Sequence, residues 1–208
     1  MSKTIDFYFD FASPASFLGY TQIEGIAERT GATLVWKPML LGGVFKATGN
    51  ASPVLIPAKG RWMTDDIMRW AERHGTFLRY PEGFPLNTLA LMRGAVGYQM
   101  REGQERFRCY VDLIYRAIWQ QQIDLRDAET LAGLLQDHDF DPDAFLLMVA
   151  EPEIKQALIA ATEAAVDRGV FGAPTFFVDG VMHFGQDRMD WVEAEASEEL
   201  GGLAGHEA

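Results

Sequence analysis

Four short stretches of this sequence carry residue types that could grip a small, peptide-like anion and hold a sulfur at one end of it. The first is Ser13-Pro14-Ala15-Ser16. Proline suits the first turn of a helix, where the leading N–H groups have no intrahelical partner. The positive end of the helix dipole stabilises an anion placed there. A thiolate is such an anion, and its pKa falls when N–H groups and a hydroxyl donate to it. Ser13 supplies the hydroxyl, although alone it reads equally as a plain N-cap, and Ser16 reads mostly as a helix residue. The second stretch is Ala173-Pro174. If that bond is cis, the main chain of Ala173 offers two hydrogen bonds to an extended ligand; otherwise it is a proline at a strand start. The third, Gly185-Gln186-Asp187-Arg188, can present N–H groups to a carboxylate while Asp187 holds an ammonium group. A capped helix is the plainer reading there. Last, Asn50 and Lys59 flank a proline-rich loop, where Lys59 could neutralise a carboxylate or be simply solvated.

These stretches need elements to hold them. Residues 4–11 read as an apolar strand leading into Ser13. The helix that follows buries Leu18, Ile23, Ile26 and Ala27 and stops at Gly31. A second strand over 33–38 ends at Pro38, and a strand–helix–strand run of this length favours a parallel βαβ unit. From 39 a loop punctuated by Gly42-Gly43, Gly49, Pro53, Pro57 and Gly60 is expected. Helices should follow over about 64–74, 88–102, 105–121, 127–137 and 142–148. A helix over 153–168, the strand 175–178, the Asp179-Gly180 turn and the strand 181–184 then form a helix and hairpin. A short helix through Trp191 and Val192 closes the pattern.

Composition removes several classes of function. Thirty acidic against eighteen basic side chains leave a net charge of −12, which repels nucleic acid and anionic membrane. The single cysteine, Cys109, cannot form an intramolecular disulfide, and no Cys/His spacing suggests a metal site. No apolar run is long enough to cross a bilayer, and no signal peptide is visible. A soluble protein of the cytoplasm is the expectation.

A thioredoxin-type redox protein would carry Cys-x-x-Cys at the strand-to-helix turn where this chain has Ser13 and Ser16. Ala173-Pro174-Thr175 stands where such folds carry a proline facing that turn. With Phe9-Asp10-Phe11-Ala12-Ser13-Pro14, Thr48-Gly49-Asn50, Pro57-Ala58-Lys59 and Phe184-Gly185-Gln186-Asp187-Arg188, the chain resembles the 2-hydroxychromene-2-carboxylate isomerases. These are relatives of the kappa-class glutathione transferases and, further off, of DsbA. The resemblance implies an α/β, thioredoxin-like fold with a large all-helical insertion. The framework would be 1–38 and 156–200, the insertion 39–155, and 201–208 a frayed tail.

The resemblance also implies a homodimer that binds glutathione. Ser13 would contact the glutathione sulfur, Asn50 and Lys59 its backbone and glycine carboxylate, and Ala173, beside Pro174, its cysteinyl main chain. Gln186 and Asp187 would grip the γ-glutamyl end, with Arg188 either joining them or orienting Asp187. Two departures are Phe17, where relatives often have tyrosine and which should alter the pocket rim, and Gln186, where they often have Asn or Ser. The implied reaction interconverts 2-hydroxychromene-2-carboxylate and trans-o-hydroxybenzylidenepyruvate through a transient adduct with the glutathione thiolate. Phe45, Trp62 and Phe84 are candidates for an apolar roof over the small aromatic carboxylate, and Lys46 or Arg61 for its carboxylate. Two other readings stay open: a kappa-like transferase that conjugates glutathione to electrophiles, and a non-catalytic thioredoxin-fold binding protein.

Overall fold

Alternating large side chains make the first strand the centre of the sheet. In the computed structural model, which describes residues 2–197, β1 (Thr4–Phe9) pairs in parallel with β2 (Thr33–Pro38) and antiparallel with β3 (Thr175–Val178). The antiparallel β4 (Val181–Phe184) completes the order β2-β1-β3-β4. The tail expected at 201–208, and the last three residues of the framework expected to reach 200, lie outside the described residues. Ile5, Phe7 and Phe9 are fully buried on one face, where Phe7 stacks on Phe176 with ring centroids 5.0 Å apart. Tyr8 points to the other face and meets Phe177 edge-on. The central strand is therefore covered on both sides.

The expected βαβ unit is present, with α1 (Pro14–Thr30) between β1 and β2 and Gly31 in the left-handed conformation at its end. Glycine also matters inside α1. A Cβ on Gly19 would lie 2.9 Å from the Phe176 ring and 3.6 Å from Pro174, so its absence lets the helix settle onto β3. The β3–β4 turn carries Asp179 and Gly180 at φ values of 46° and 95°, the left-handed pair that a two-residue hairpin requires.

The expected loop from residue 39 is corrected by α2 (Leu41–Thr48). Gly42-Gly43 looks like a helix breaker, but a Cβ on Gly43 would sit 3.0 Å from a Thr162 methyl. Glycine there allows α2 to pack against a later helix. The loop proper shrinks to 49–56 and contains a single 3-10 turn at Pro53–Leu55. The next helix, α3 (Pro57–Arg73), starts seven residues before the expected 64, with Pro57 in its first turn. Then come α4 (Leu89–Arg101), α5 (Gly103–Trp119), α6 (Ala128–Asp137), α7 (Pro142–Ala150) and α8 (Pro152–Asp167), each within two residues of its expected bounds.

The helical stretch is anchored to the sheet by aromatic packing. Trp119, at the end of α5 and fully buried, donates its indole N–H to the Phe11 carbonyl at 2.9 Å. Tyr115 packs edge-on against Phe11 at 4.9 Å. The segment that leads into Ser13 is thus held by both the sheet and the helices. After the hairpin, a 3-10 turn at Gln186–Arg188 leads into α9 (Met189–Ala196), which packs on α1. Among the described residues no helix is long and apolar enough to cross a membrane.

Candidate active site

Ser13 is the N-cap of α1, in extended conformation at φ −95° and ψ 115°. Its hydroxyl oxygen accepts the Ser16 N–H at 3.1 Å, as a capping serine does. The same hydroxyl donates to the carbonyl of Ala173 at 3.0 Å, across 160 residues of sequence. The Ala173–Pro174 bond is cis. Among the described residues the Ala173 N–H has no hydrogen-bond partner. The two stretches read separately from the sequence are one structure. Ser16, by contrast, is fully buried beneath α1 and its Oγ has no partner, so it faces the core and not the turn's outer side.

The 185–188 stretch hangs from the same loop, because the Gly185 N–H donates to the Pro174 carbonyl at 3.0 Å. Gly185 sits at φ 103° and ψ 150°, a region open in practice to glycine alone. A Cβ there would also come within 2.5 Å of Asp187 Oδ1. Gln186 is buried, with 6% of its surface exposed, and among the described residues its Oε1 has no hydrogen-bond partner. A buried, unpaired amide oxygen costs about 1–3 kcal/mol unless a partner arrives. Asp187 is paired with Arg188 at 3.1 Å.

Asn50 joins this assembly by an unexpected route. Its side-chain amide donates to the Phe171 carbonyl at 2.8 Å, tying the end of α2 to the cis-proline loop. Lys59 and Arg61 are exposed in the first turns of α3, beside Trp62, which is 60% exposed. Phe45 is half-buried on α2. Phe84 packs inward, edge-on to Tyr80 at 5.2 Å and against Trp119 at 5.8 Å. Lys46 lines a groove of about 500 Å³ between α2, α4 and α8 with Leu40, Leu89, Arg93, Lys155 and Ile159; Ser13 is not among its lining residues. Phe17 is fully buried against Tyr20 and Tyr115, so the departure expected at the pocket rim lies in the core instead.

Sequence reasoning assigned Asp10 no role beyond its place in the Phe9–Pro14 stretch. Its main-chain carbonyl accepts the Ser13 N–H at 3.1 Å. Its Oδ1 accepts the Ala12 N–H at 2.9 Å and the Thr88 hydroxyl at 2.6 Å, and its Oδ2 accepts the Leu41 N–H at 2.7 Å. Burial pushes its pKa above the usual carboxylate value, and the Ala12, Thr88 and Leu41 donors oppose that push. The available signal was an acidic residue three positions before the capping serine, the spacing of a side chain that braces its own turn.

The chain is similar to known proteins along nearly its whole length. A profile for the DSBA-like thioredoxin domain matches residues 4–196. A 2-hydroxychromene-2-carboxylate isomerase from Sphingobium xenophagum is 36% identical over 200 residues, which is 93% of this chain and 98% of that one. The chain belongs to the 2-hydroxychromene-2-carboxylate isomerase family. Membership places it in the DsbA-like thioredoxin fold and among the isomerases. A solved structure of an isomerase of that name superposes with a TM-score of 0.82 at 26% identity, over 97% of this chain and 100% of the other. Human glutathione S-transferase kappa 1 is 26% identical over 202 residues, covering 91% of this chain and 89% of its own length. A probable DsbA oxidoreductase from Streptomyces coelicolor shares the fold, with a TM-score of 0.70 at 18% identity.

Proposed function

We propose that this family member binds glutathione along the turn of Ser13, the cis-proline loop and the 185–188 stretch, and uses it to interconvert 2-hydroxychromene-2-carboxylate and trans-o-hydroxybenzylidenepyruvate. The observation that carries the reading is the Ser13 hydroxyl, set at the N-terminus of a 17-residue helix and donating to the carbonyl before the cis proline. The residues fit the tripeptide. Gln186 leaves a buried oxygen in need of a donor, which the γ-glutamyl ammonium can provide beside Asp187. The unpaired Ala173 N–H offers a donor to an extended main chain, as in strand addition. Lys59, exposed in the first turn of α3, is the cation this reading assigns to the glycine carboxylate.

When bound, glutathione would supply a nucleophilic sulfur that attacks a conjugated double bond, permits rotation there and departs unchanged. The chain's own part is to choose where hydroxyl protons go. In the free protein the Ser13 proton rests on the Ala173 carbonyl. An amide N–H of the ligand arriving at that carbonyl would free the hydroxyl to turn outward and donate to sulfur, while its oxygen keeps the Ser16 N–H. The helix N-terminus favours the negative charge at the same point. Trp62, Phe45 and Phe84 remain proposals for the aromatic body, and Arg61 or Lys46 for the substrate carboxylate. A homodimer working in a reducing, cytoplasmic setting completes the reading.

The similarity to kappa-class transferases favours a second outcome, in which glutathione stays attached to an electrophile. One experiment addresses both. Thiolate absorbance of bound glutathione is followed against pH in wild type and Ser13→Ala, with product analysis on the isomerase substrate. A thiol pKa lowered in wild type and restored in the variant supports the site; regenerated glutathione selects isomerisation, and a stable conjugate selects transfer. No binding at millimolar glutathione would overturn both.

A further inference from the structure

Three helices begin around one buried carboxylate. Asp10 braces the turn of α1 through Ala12 and Ser13, accepts the first N–H of α2 from Leu41, and takes the hydroxyl of Thr88 at the head of α4. Neither of the last two helices is capped by the side chain of the residue before it: that residue is Leu40 for α2, and Thr88 makes no side-chain bond to α4, whose first N–H, from Leu89, donates to Asn87 Oδ1 at 3.1 Å. Asp10 and Thr88 are nearly inaccessible, at 1% and 3% exposed, and among the described residues no cation pairs with the carboxylate. Burying a carboxylate without a cationic partner is a poor way to gain stability. Its three donors and the positive ends of the helices make the charge tolerable there.

We propose that Asp10 is a positioning residue that holds the backbone of the Ser13 turn in place and sets the start of α2 and α4 relative to it. This rests on the glutathione reading of the site. Asp10 would not touch the ligand. It holds the sulfur-binding turn in register with the helices that roof it. Asparagine has the same shape but brings an NH2 group against a donor, so one of the three bonds must fail.

The test compares wild type, Asp10→Asn and Thr88→Val by three measurements: turnover, affinity for S-methylglutathione, and hydrogen exchange at the Ala12, Ser13 and Leu41 amides. S-methylglutathione keeps every part of the tripeptide except the thiol. Asp10→Asn should lower kcat by about tenfold or more, since small misplacements of a reacting group are costly, and leave S-methylglutathione affinity within about threefold. The three amides should exchange faster together. Thr88→Val, which removes one donor and little volume, should move each quantity the same way by less. Unchanged kcat per folded molecule in both variants, with only a lower Tm, would overturn the proposal. If Asp10→Asn fails to fold, Thr88→Val decides on the same criteria. If wild type neither binds S-methylglutathione nor turns over, the glutathione reading falls on its own. The exchange measurement then judges Asp10: correlated loss of protection upholds its hold on the turn, and unchanged exchange removes it.

Discussion

The sulfur end of the proposed glutathione site and its far end are finished to different degrees. At the sulfur end, Ser13 both accepts and donates, its N–H is bonded, and Asp10 satisfies the turn behind it. At the far end, the Gln186 oxygen is buried and unpaired, Gly185 holds a conformation other residues avoid, and Asp187 is tied only to its neighbour Arg188. Ser13 itself is fully bonded without ligand, whereas the far end holds a buried oxygen without a partner among the described residues. Stability and function should therefore separate differently at the two ends: removing a bonded group from the first should harm stability and turnover, and removing the unpaired Gln186 amide from the second should harm binding alone.

Ser13→Ala gives the largest effect. Loss of the hydroxyl should cut kcat/KM by about 100-fold, the scale seen when one donor to a developing anion is removed. Loss of the cap should cost about 1 kcal/mol in chemical denaturation. Wild-type kinetics in this variant would remove the sulfur end from the mechanism.

Gly185→Ala comes next and strikes the far end through the backbone. The added methyl group would meet Asp187 Oδ1 at 2.5 Å and meet strain at φ 103°. Glutathione affinity should weaken by about tenfold, with about 1–3 kcal/mol lost from stability. Turnover at saturating glutathione should stay near wild type, since Ser13 is unmoved. Gln186→Leu sharpens the contrast. It should weaken glutathione binding by about three- to tenfold, yet leave the Tm equal or higher, because an unpaired buried oxygen has been removed. A large fall in Tm would mean that the amide is already satisfied in the free protein.

How much of this was legible in the sequence follows the same division. The Ser13 turn and the Ala173-Pro174 loop could be read because Pro14, the strand before it and the helix after it each have a local signature. Their mutual contact could be inferred only from resemblance, since a bond across 160 residues leaves no local trace. Asp10 was missed because its partners, Leu41 and Thr88, lie far along the chain, and one acidic residue in an apolar run carries no periodicity. The glycine pair in α2 misled for a related reason. Gly42-Gly43 signals a break by propensity, but the packing of Gly43 on Thr162 overrides it. Lys46 and Phe84 were chosen by residue type, and type shows neither which neighbour a helix face meets nor which way a loop aromatic such as Phe84 packs.

The smallest expected effect is a pH dependence with opposite sign at the two ends. His183 lies on β4, two residues before Gly185; burial lowers its pKa below the ordinary 6.5, with Glu195 opposing, and among the described residues its buried Nε2 has no partner. Below 6.5 the unfolded chain binds the proton more readily than the fold, so His183 lowers stability as pH falls through that value. Asp10 acts in reverse. Its raised pKa means that between 3.8 and its folded value the native state holds more protons, so stability from this group falls as pH rises through that window. Denaturant unfolding at about pH 7.5 and about pH 5.5 should show wild type less stable at the lower value, with His183→Phe reducing the difference. His74, also lowered by burial, should account for part of the remainder. Asp10→Asn should leave the loss due to the histidines intact, since it removes a group that titrates in the opposite sense. A His183→Phe variant with the full wild-type pH dependence would place the acid-sensitive group elsewhere and leave the far end without a titrating member.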